Sequence, residues 1–354
     1  MSPRKKNLSR IIFTLLFLAT FLSSRVLGAD SPYNGGQPTH PKDLKGKKIA
    51  LADVPKLIGI GYFAATTKGE AEAATELTKN GLPTEVTTDA PTEAAIQKQI
   101  EYIDNDISRG MDGILFAAND PTAISPVLRK ALKAGVHVIG YDAESQPDAR
   151  EWFIQQATPE GIAKALIDSL VAEVGKEADI AIVTSSLTAP NQNAWIAEMK
   201  KYISAQGLKL NVVTILPSEE DQQQAFKVTG QILKAYPNFK GIIGLSSVAF
   251  PGAADAITQA NLVGKIAVTG LSTPNQMKPF VKSGCVKSVI LWNPVDLGYA
   301  AIYAMRAVVD GKLKPGDTEL DAGRLGKLKL INGSQFLLGP PFIFNQDNID
   351  KFDF

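Results

Sequence analysis

Cysteine is almost missing from this chain, with Cys285 the single one in 354 residues. An intramolecular disulfide is therefore excluded, and so is a thiolate metal cluster. Histidine is nearly as scarce. Only His40 and His137 are present, too few for a His-based metal site, and a Ser-His-Asp arrangement would have to use His137, whose simpler role is to fill a strand edge. Neither a G-x-S-x-G elbow nor a G-x-x-x-x-G-K-[ST] phosphate loop occurs. Charge of one sign is lacking too, with 37 Lys and Arg against 36 Asp and Glu. Nucleic acid is a poor partner for such a chain, because phosphate binding needs clustered cations.

The apolar run from Ile11 to Leu22 spans 12 residues, short of the roughly 20 that cross a bilayer core. It follows Arg4, Lys5, Lys6 and Arg10 and leads into Val26-Leu27-Gly28-Ala29. That order predicts a secretory signal peptide over residues 1–28, cut after Gly28 or Ala29. Its loss removes five basic residues and no acidic one, so the 37 basic residues become 32 against 36 acidic and the mature net charge is −4. No cysteine stands at the new N-terminus to carry a lipid. The expected destination is the periplasm. Residues 29–45 are rich in Gly, Pro and polar side chains without an apolar period, and read as a flexible leader.

From Lys48 onward, short β-rich apolar runs alternate with longer segments of helical period, the signature of βαβ units around parallel sheets. Strands are expected at 49–54, 85–88, 113–117, 136–141, 180–184, 210–215, 241–245, 266–271 and 286–291. Runs so apolar need helices on both faces. The stretch 112–142 (DGILFAANDPTAISPVLRKALKAGVHVIGYD) is echoed by 240–272 (KGIIGLSSVAFPGAADAITQANLVGKIAVTGLS). Duplication of one strand-helix-strand unit predicts two similar lobes. Asp142 and Ser272 then occupy equivalent strand ends. In open parallel sheets ligands bind beyond the carboxyl ends of the strands, so facing lobes would bring both residues to one cleft.

Gly59-Ile60-Gly61-Tyr62-Phe63-Ala64 formally matches G-x-G-x-x-A. A working dinucleotide fingerprint begins directly after its strand and bares its backbone to the pyrophosphate. Here Pro55 to Ile58 intervene, and Tyr62 and Phe63 would crowd the anion. These two rings suit the face of a sugar better.

Several longer blocks carry a resemblance: VPKLIGIGYF (54–63), TDAPTEA (88–94), IQQATPEGIA (154–163), NQNAW (191–195), LSTPNQMKPFV (271–281) and FIFNQDNIDKFDF (342–354). From about Lys48 to Phe354 the chain resembles the periplasmic binding proteins of sugar ABC importers, type I and ribose-binding-like, and within them the rhamnose-binding and autoinducer-2-binding branch. The resemblance implies an α/β fold of two doubly wound parallel-sheet lobes joined by a three-strand hinge, with no cofactor and no catalysis. Lobe one is expected over 46–146 plus 293–321, and lobe two over 147–292 plus 322–354. A monomer that hands its ligand to an inner-membrane permease is the implied partner scheme.

Carried over from the autoinducer-2 receptors, the ligand-holding Lys, strand-closing Asp and Gln are matched by Lys56, Asp142 and Gln192. Three other positions depart from that pattern: Asn191 replaces an Asp, Leu245 a Pro and Ser247 an Ala. Blocks such as FAANDPTAI (116–124), SQPDAREWF (145–153) and LWNPVDLGYAA (291–301) look more like the rhamnose importers and favour a 6-deoxy sugar. In physical terms Lys56 supplies donors and Asp142 acceptors, while Asn191 and Gln192 can each do both. Trp292 ends the last long strand near the expected hinge, where it could cover an apolar sugar face. Asn119, Asp120 and Glu144 are further polar candidates, with helix capping as the alternative role.

Two rival classes share parts of this pattern. A sugar-responsive repressor would need a basic helix-turn-helix ahead of the lobes, where the signal peptide stands. A glycosidase would need carboxylates placed across a scissile bond, whereas Asp142 and Glu144 are two apart on one strand end. A chemotaxis or quorum-signal receptor is the nearer alternative.

Overall fold

The computed structural model describes residues 32–354. The expected signal peptide and the first residues of the leader lie outside the described residues. In chain order the regular elements begin β1 (Ile49–Val54), α1 (Gly61–Lys79), β2 (Thr84–Thr88), α2 (Ile96–Arg109), β3 (Gly113–Phe116), α3 (Pro121–Lys133), β4 (His137–Tyr141), β5 (Trp152–Gln155) and α4 (Pro159–Val174). They continue with β6 (Glu177–Thr184), α5 (Pro190–Ala205), β7 (Lys209–Pro217), α6 (Gln222–Ala235), β8 (Gly241–Gly244), α7 (Ala249–Gln259), β9 (Ala267–Gly270), α8 (Pro274–Lys282) and β10 (Val289–Leu291). The last are α9 (Pro294–Val309), β11 (Glu319–Asp321), β12 (Lys327–Asn332), β13 (Gln335–Leu337) and β14 (Phe342–Phe344).

Local chemistry sets many of these bounds. Asp120 and Thr158 cap α3 and α4 by accepting from backbone N–H groups of the first turn, and each is followed by a proline that needs no such partner. Gly110 ends α2 in the left-handed conformation with φ 75°. Strands β3, β4 and β8 are buried along their whole length, as expected of parallel strands covered on both faces.

Two sheets result. The first runs β2-β1-β3-β4-β5-β13-β12-β11 and the second β7-β6-β8-β9. In the first, the pairs from β2 through β13 are parallel, and β12 and β11 add antiparallel edges. The second is wholly parallel. A small antiparallel pair, β10 with β14, adjoins it through a bridge between Leu271 and Ile290. This is the expected doubly wound α/β architecture in two lobes.

The chain passes between lobes three times, but two passages differ from expectation. β5 pairs with β4, and β12 and β13 extend the same sheet, so residues 147–155 and 322–337 belong with the first lobe. The reason is packing: Trp152, Phe153 and Ile154 are buried, with the Phe336 ring tilted against Trp152 at 5.0 Å between centroids. β5 follows β4 with no α-helix between them, so the β-α alternation that marks the other parallel strands gives no sign of it. The leader also departs from a flexible reading. Tyr33 packs edge-on against Trp152 and its hydroxyl donates to the Glu151 carbonyl at 2.9 Å, while Gly36 N–H donates to Arg150 O at 2.8 Å. Its glycines permit close approach: a Cβ at Gly35 would lie 2.2 Å from the Glu151 carbonyl.

Beneath the sheet ends, Asp53 and Glu70 form a buried acid pair. Tyr141 Oη donates to Asp53 Oδ1 at 2.8 Å. Burial pushes the Asp53 carboxyl up from 3.8 to about 7, partly offset by that hydrogen bond, and burial with the Asp53 charge pushes Glu70 well above its ordinary range. Between the two Asp53 values the native state holds a proton that the unfolded state has released. Stability from this group is therefore full below pH 3.8 and falls as pH rises toward 7. Asp53→Asn is expected to reduce the loss of stability between pH 5 and 8 by about 2 kcal/mol. Thermal melts at the two pH values check it; parallel shifts in variant and wild type would assign the titration elsewhere.

Candidate functional site

The carboxyl ends of both sheets face one another across a narrow cleft lined from both lobes, the place where ligands bind in open parallel sheets. Each lobe contributes the residues just beyond its strands. Lys56 follows β1, Tyr62 and Phe63 open α1, and Asp142 follows β4. From the second lobe come Asn191, Gln192 and Trp195 on the first turns of α5, Glu220 after β7, Leu245 to Ser247 after β8, and Leu271 after β9; Trp292 follows β10 at the hinge.

Asp142 is the most constrained of these groups. Its φ is 58°, and Ala143 N–H reaches back to the Tyr141 carbonyl at 2.6 Å, so it sits at the centre of a tight turn in the left-handed region. Such strain is concentrated at functional positions. A relay then fixes the carboxylate: Trp292 Nε1 donates to Tyr62 Oη at 2.9 Å, and Tyr62 Oη donates to Asp142 Oδ1 at 3.0 Å. Burial raises the Asp142 carboxyl to about 6, opposed by the Lys56 charge and the Tyr62 hydrogen bond and reinforced by Glu220. Tyr62 is pushed well above its ordinary value, first by burial and then by Asp142, which keeps it a donor.

Contacts across the cleft are loose by comparison. Lys56 Nζ lies 3.5 Å from Asn191 Oδ1, and Asn191 Nδ2 lies 3.5 Å from Asp142 Oδ1, the outer edge of hydrogen-bonding distance. These groups can therefore turn to another partner at small cost. Gln192 is more restricted than its residue type implies. Its Oε1 accepts from Thr184 Oγ1 at 2.6 Å and Ser185 N at 2.7 Å, so only its NH₂ remains to face the cleft.

The cleft thus gathers Lys56, Tyr62, Phe63, Asp142, Asn191, Gln192, Leu245, Ser247 and Trp292. Two expected members stand behind it. Asn119 Nδ2 donates to the Lys56 carbonyl at 2.9 Å, so it shapes the Lys56 loop from outside the lining. Ser272 is wholly buried, its hydroxyl 3.0 Å from the Ser247 carbonyl and from Gln276 Oε1; it ties two loops together because the duplicated unit ends there without the left-handed turn of Asp142. Asp120 is a helix cap and Glu144 pairs with buried Arg150 at 2.7 Å. His137 meets Glu151 at 2.9 Å away from the cleft.

Sequence reasoning missed Trp195, Glu220, Ile60, Ser246, Leu271 and Leu291 as lining residues. Trp195 was legible in the NQNAW block, three residues beyond Gln192 and so on the same helix face. Its ring meets Trp292 edge-on at 5.9 Å, and its buried Nε1 has no hydrogen-bond partner. With Tyr62 and Phe63 these rings form a partial aromatic box. No group of three His, Cys, Asp or Glu side chains suited to a metal ion occurs among the described residues.

Two parallel-sheet lobes whose strand ends enclose a polar cleft define a ligand-binding protein of the type I periplasmic class. The family model for the periplasmic binding protein domain matches residues 51–313, and the chain belongs to that family. Among curated proteins it is similar to the D-ribose/D-allose-binding protein of Pseudomonas aeruginosa, 25% identical with 75% of this chain and 83% of that protein covered. It is also similar to the ribose import binding protein of Bacillus subtilis, 24% identical over 87% of this chain and 94% of that one. Among solved structures, an ABC transporter solute-binding protein from Clostridium phytofermentas with bound L-rhamnose is 30% identical, with a TM-score of 0.80 and coverage of 86% and 98%. LsrB from Clostridium saccharobutylicum in complex with AI-2 is 25% identical, with a TM-score of 0.80 and coverage of 86% and 100%.

Proposed function

We propose that this chain is the periplasmic sugar-binding component of an ABC importer, and that its ligand is L-rhamnose or a related 6-deoxy sugar. The observation that carries this reading is that one cleft is lined from both lobes by an ammonium, carboxylates, amides and flat aromatic rings. A ligand touching both lobes binds the closed form better than the open one, which is the differential affinity that hinge closure requires. Lys56 and the Gln192 amide donate to ring hydroxyls, Asp142 accepts from them, and the faces of Phe63, Trp195 and Trp292 cover C–H surfaces and a deoxy methyl. The closed surface then docks on the inner-membrane permease, and the binding protein acts as a monomer without cofactor. The N-terminal secretory pattern supports a periplasmic location.

A second reading keeps the site and changes the ligand to autoinducer-2. The matches at Lys56, Asp142 and Gln192 and the likeness to an AI-2 complex favour it; the changes at Asn191, Leu245 and Ser247 weigh against it. A thermal-shift screen of the mature protein with L-rhamnose, other deoxy sugars, D-ribose, D-allose and autoinducer-2 decides. A ligand at 100 times its dissociation constant adds about 2.7 kcal/mol of stability. L-rhamnose is expected to give the largest shift; a shift with autoinducer-2 alone would reverse the ranking, and no shift with any of them would remove the sugar-binding reading.

A further inference from the structure

We propose that Glu220 sets the charge selectivity of the cleft: facing Asp142 from the opposite lobe, it admits uncharged polyols that bring a hydroxyl donor to each carboxylate and turns away sugar acids and sugar phosphates. The proposal rests on the sugar-binding reading and names the class of sugar.

Glu220 belongs to the polar loop Ser218–Asp221 between β7 and α6, where a carboxylate would ordinarily point to water. Instead its side chain lines the cleft and only 9% of the residue is exposed. The backbone enforces this. Glu219 and Glu220 have φ of 53° and 54°, two successive non-glycine residues in the left-handed region, which costs energy and persists only where the surroundings hold it. Those surroundings are specific: Ser218 N–H donates to Thr184 O at 2.8 Å, Glu219 N–H donates to Ser185 O at 2.7 Å, and Asp221 caps α6 through Gln224 N at 2.6 Å. The loop is thus laced to the end of β6, beside Gln192.

The carboxylate so placed is incompletely satisfied. Glu220 Oε2 is buried without a hydrogen-bond partner, as is Trp195 Nε1 in the same lining. Unpaired buried acceptors and donors are costly, and a bound hydroxyl, which both donates and accepts, can satisfy either. The charge balance points the same way. Among the described residues of the lining, Lys56 is the cation, against Asp142 and Glu220. Facing Asp142 are Lys56 from the β1–α1 loop, Tyr62 from α1 and Glu220 from the β7–α6 loop; Glu144, near Asp142 on its own loop, is paired with Arg150. A ligand anion would enter as a third negative group against one positive one, among charges that are themselves buried, where like-charge repulsion is stronger than in open water. Neutral hydroxyls meet no such barrier.

Calorimetry of wild type and Glu220→Gln with L-rhamnose, D-ribose and D-allose, and of wild type with D-galacturonate and D-ribose 5-phosphate, tests the proposal. The neutral sugar that binds wild type is expected to bind Glu220→Gln at least about tenfold more weakly at pH 7, the loss of one hydrogen bond to a charged group. Wild-type affinity is expected to fall about tenfold from pH 7 to pH 5 as Asp142 takes up a proton, and in the variant that fall moves to lower pH because the repulsion on Asp142 is gone. Unchanged neutral-sugar affinity in Glu220→Gln, while wild type binds, overturns the role of Glu220 and leaves the sugar-binding reading intact. Tighter wild-type binding of either anion than of any neutral sugar overturns the selectivity itself. Failure of wild type to bind every sugar in the set removes both. Should circular dichroism show the variant unfolded, the wild-type comparison of neutral and anionic sugars decides alone, and an anion bound as tightly as the neutral sugar overturns the proposal.

Discussion

Asp142→Ala is expected to abolish measurable ligand binding, with a loss of affinity of about 1000-fold, while the protein stays folded. The carboxylate is the acceptor at the end of the Trp292–Tyr62 relay and the counter-charge for Lys56, which is itself only 3% exposed. Its removal deletes charge-assisted hydrogen bonds worth about 1.5–3 kcal/mol each. It also leaves a buried ammonium with less opposite charge, a further cost of the same order. About 4 kcal/mol in all corresponds to the stated factor. The apolar core does not depend on this side chain, so the protein stays folded, but the melt without ligand should drop by the cost of leaving the buried Lys56 ammonium short of its counter-charge, together with the modest strain of placing alanine at φ 58°. Asp142→Asn removes that complication, because asparagine tolerates the left-handed conformation. It should still lose most of the affinity. Calorimetry on both variants checks the prediction, and unchanged affinity in Asp142→Asn would take residue 142 out of the site.

Asp142 was legible in the sequence because a strand-helix-strand unit occurs twice and each copy closes on Gly-x-polar. The same logic failed at Ser272. Topological equivalence carries a residue to the right end of the sheet but does not say whether its side chain turns to the cleft or to the neighbouring loop, and Ser272 turns to Ser247. Glu220 carried no signal at all. Ser218-Glu219-Glu220-Asp221 has the composition of a solvated turn, and the inward direction of Glu220 comes from two positive φ values that pattern reading does not reach. The leader shows the converse: Gly35 and Gly36 read as flexibility, yet they let the backbone lie against the 148–151 segment. Alternating apolar runs made the two sheets legible, but not the addition of β5, β12 and β13 to the first, because those runs are short or interleaved with lysine.

The packing of α1 against α9 is where a single methyl group should do most damage to stability. Tyr62 stands in the first turn of α1 and Trp292 just before α9, so the distance between these helices sets the relay that aims Asp142. Two glycines make the approach possible. A Cβ at Gly69 would lie 1.8 Å from the carbonyl oxygen of Val295, and one at Gly298 would lie 2.1 Å from that of Thr66. Both obstacles are backbone atoms of the opposite helix, which no rotamer change can move. Gly69→Ala is therefore expected to force the helices apart and cost about 3 kcal/mol, the upper part of the range for overpacking. The melting temperature should fall by about 6–12 °C, and ligand affinity should drop as Tyr62 and Trp292 separate. Gly230 in α6 is the control. A Cβ there meets nothing within 4 Å, so Gly230→Ala should gain about 0.5–1 kcal/mol from helix propensity alone. A Gly69→Ala melt within about 2 °C of wild type, the shift expected of less than about 1 kcal/mol, would mean that the two helices can shift apart without loss, and the α1–α9 contact would then not be what holds Trp292 against Tyr62.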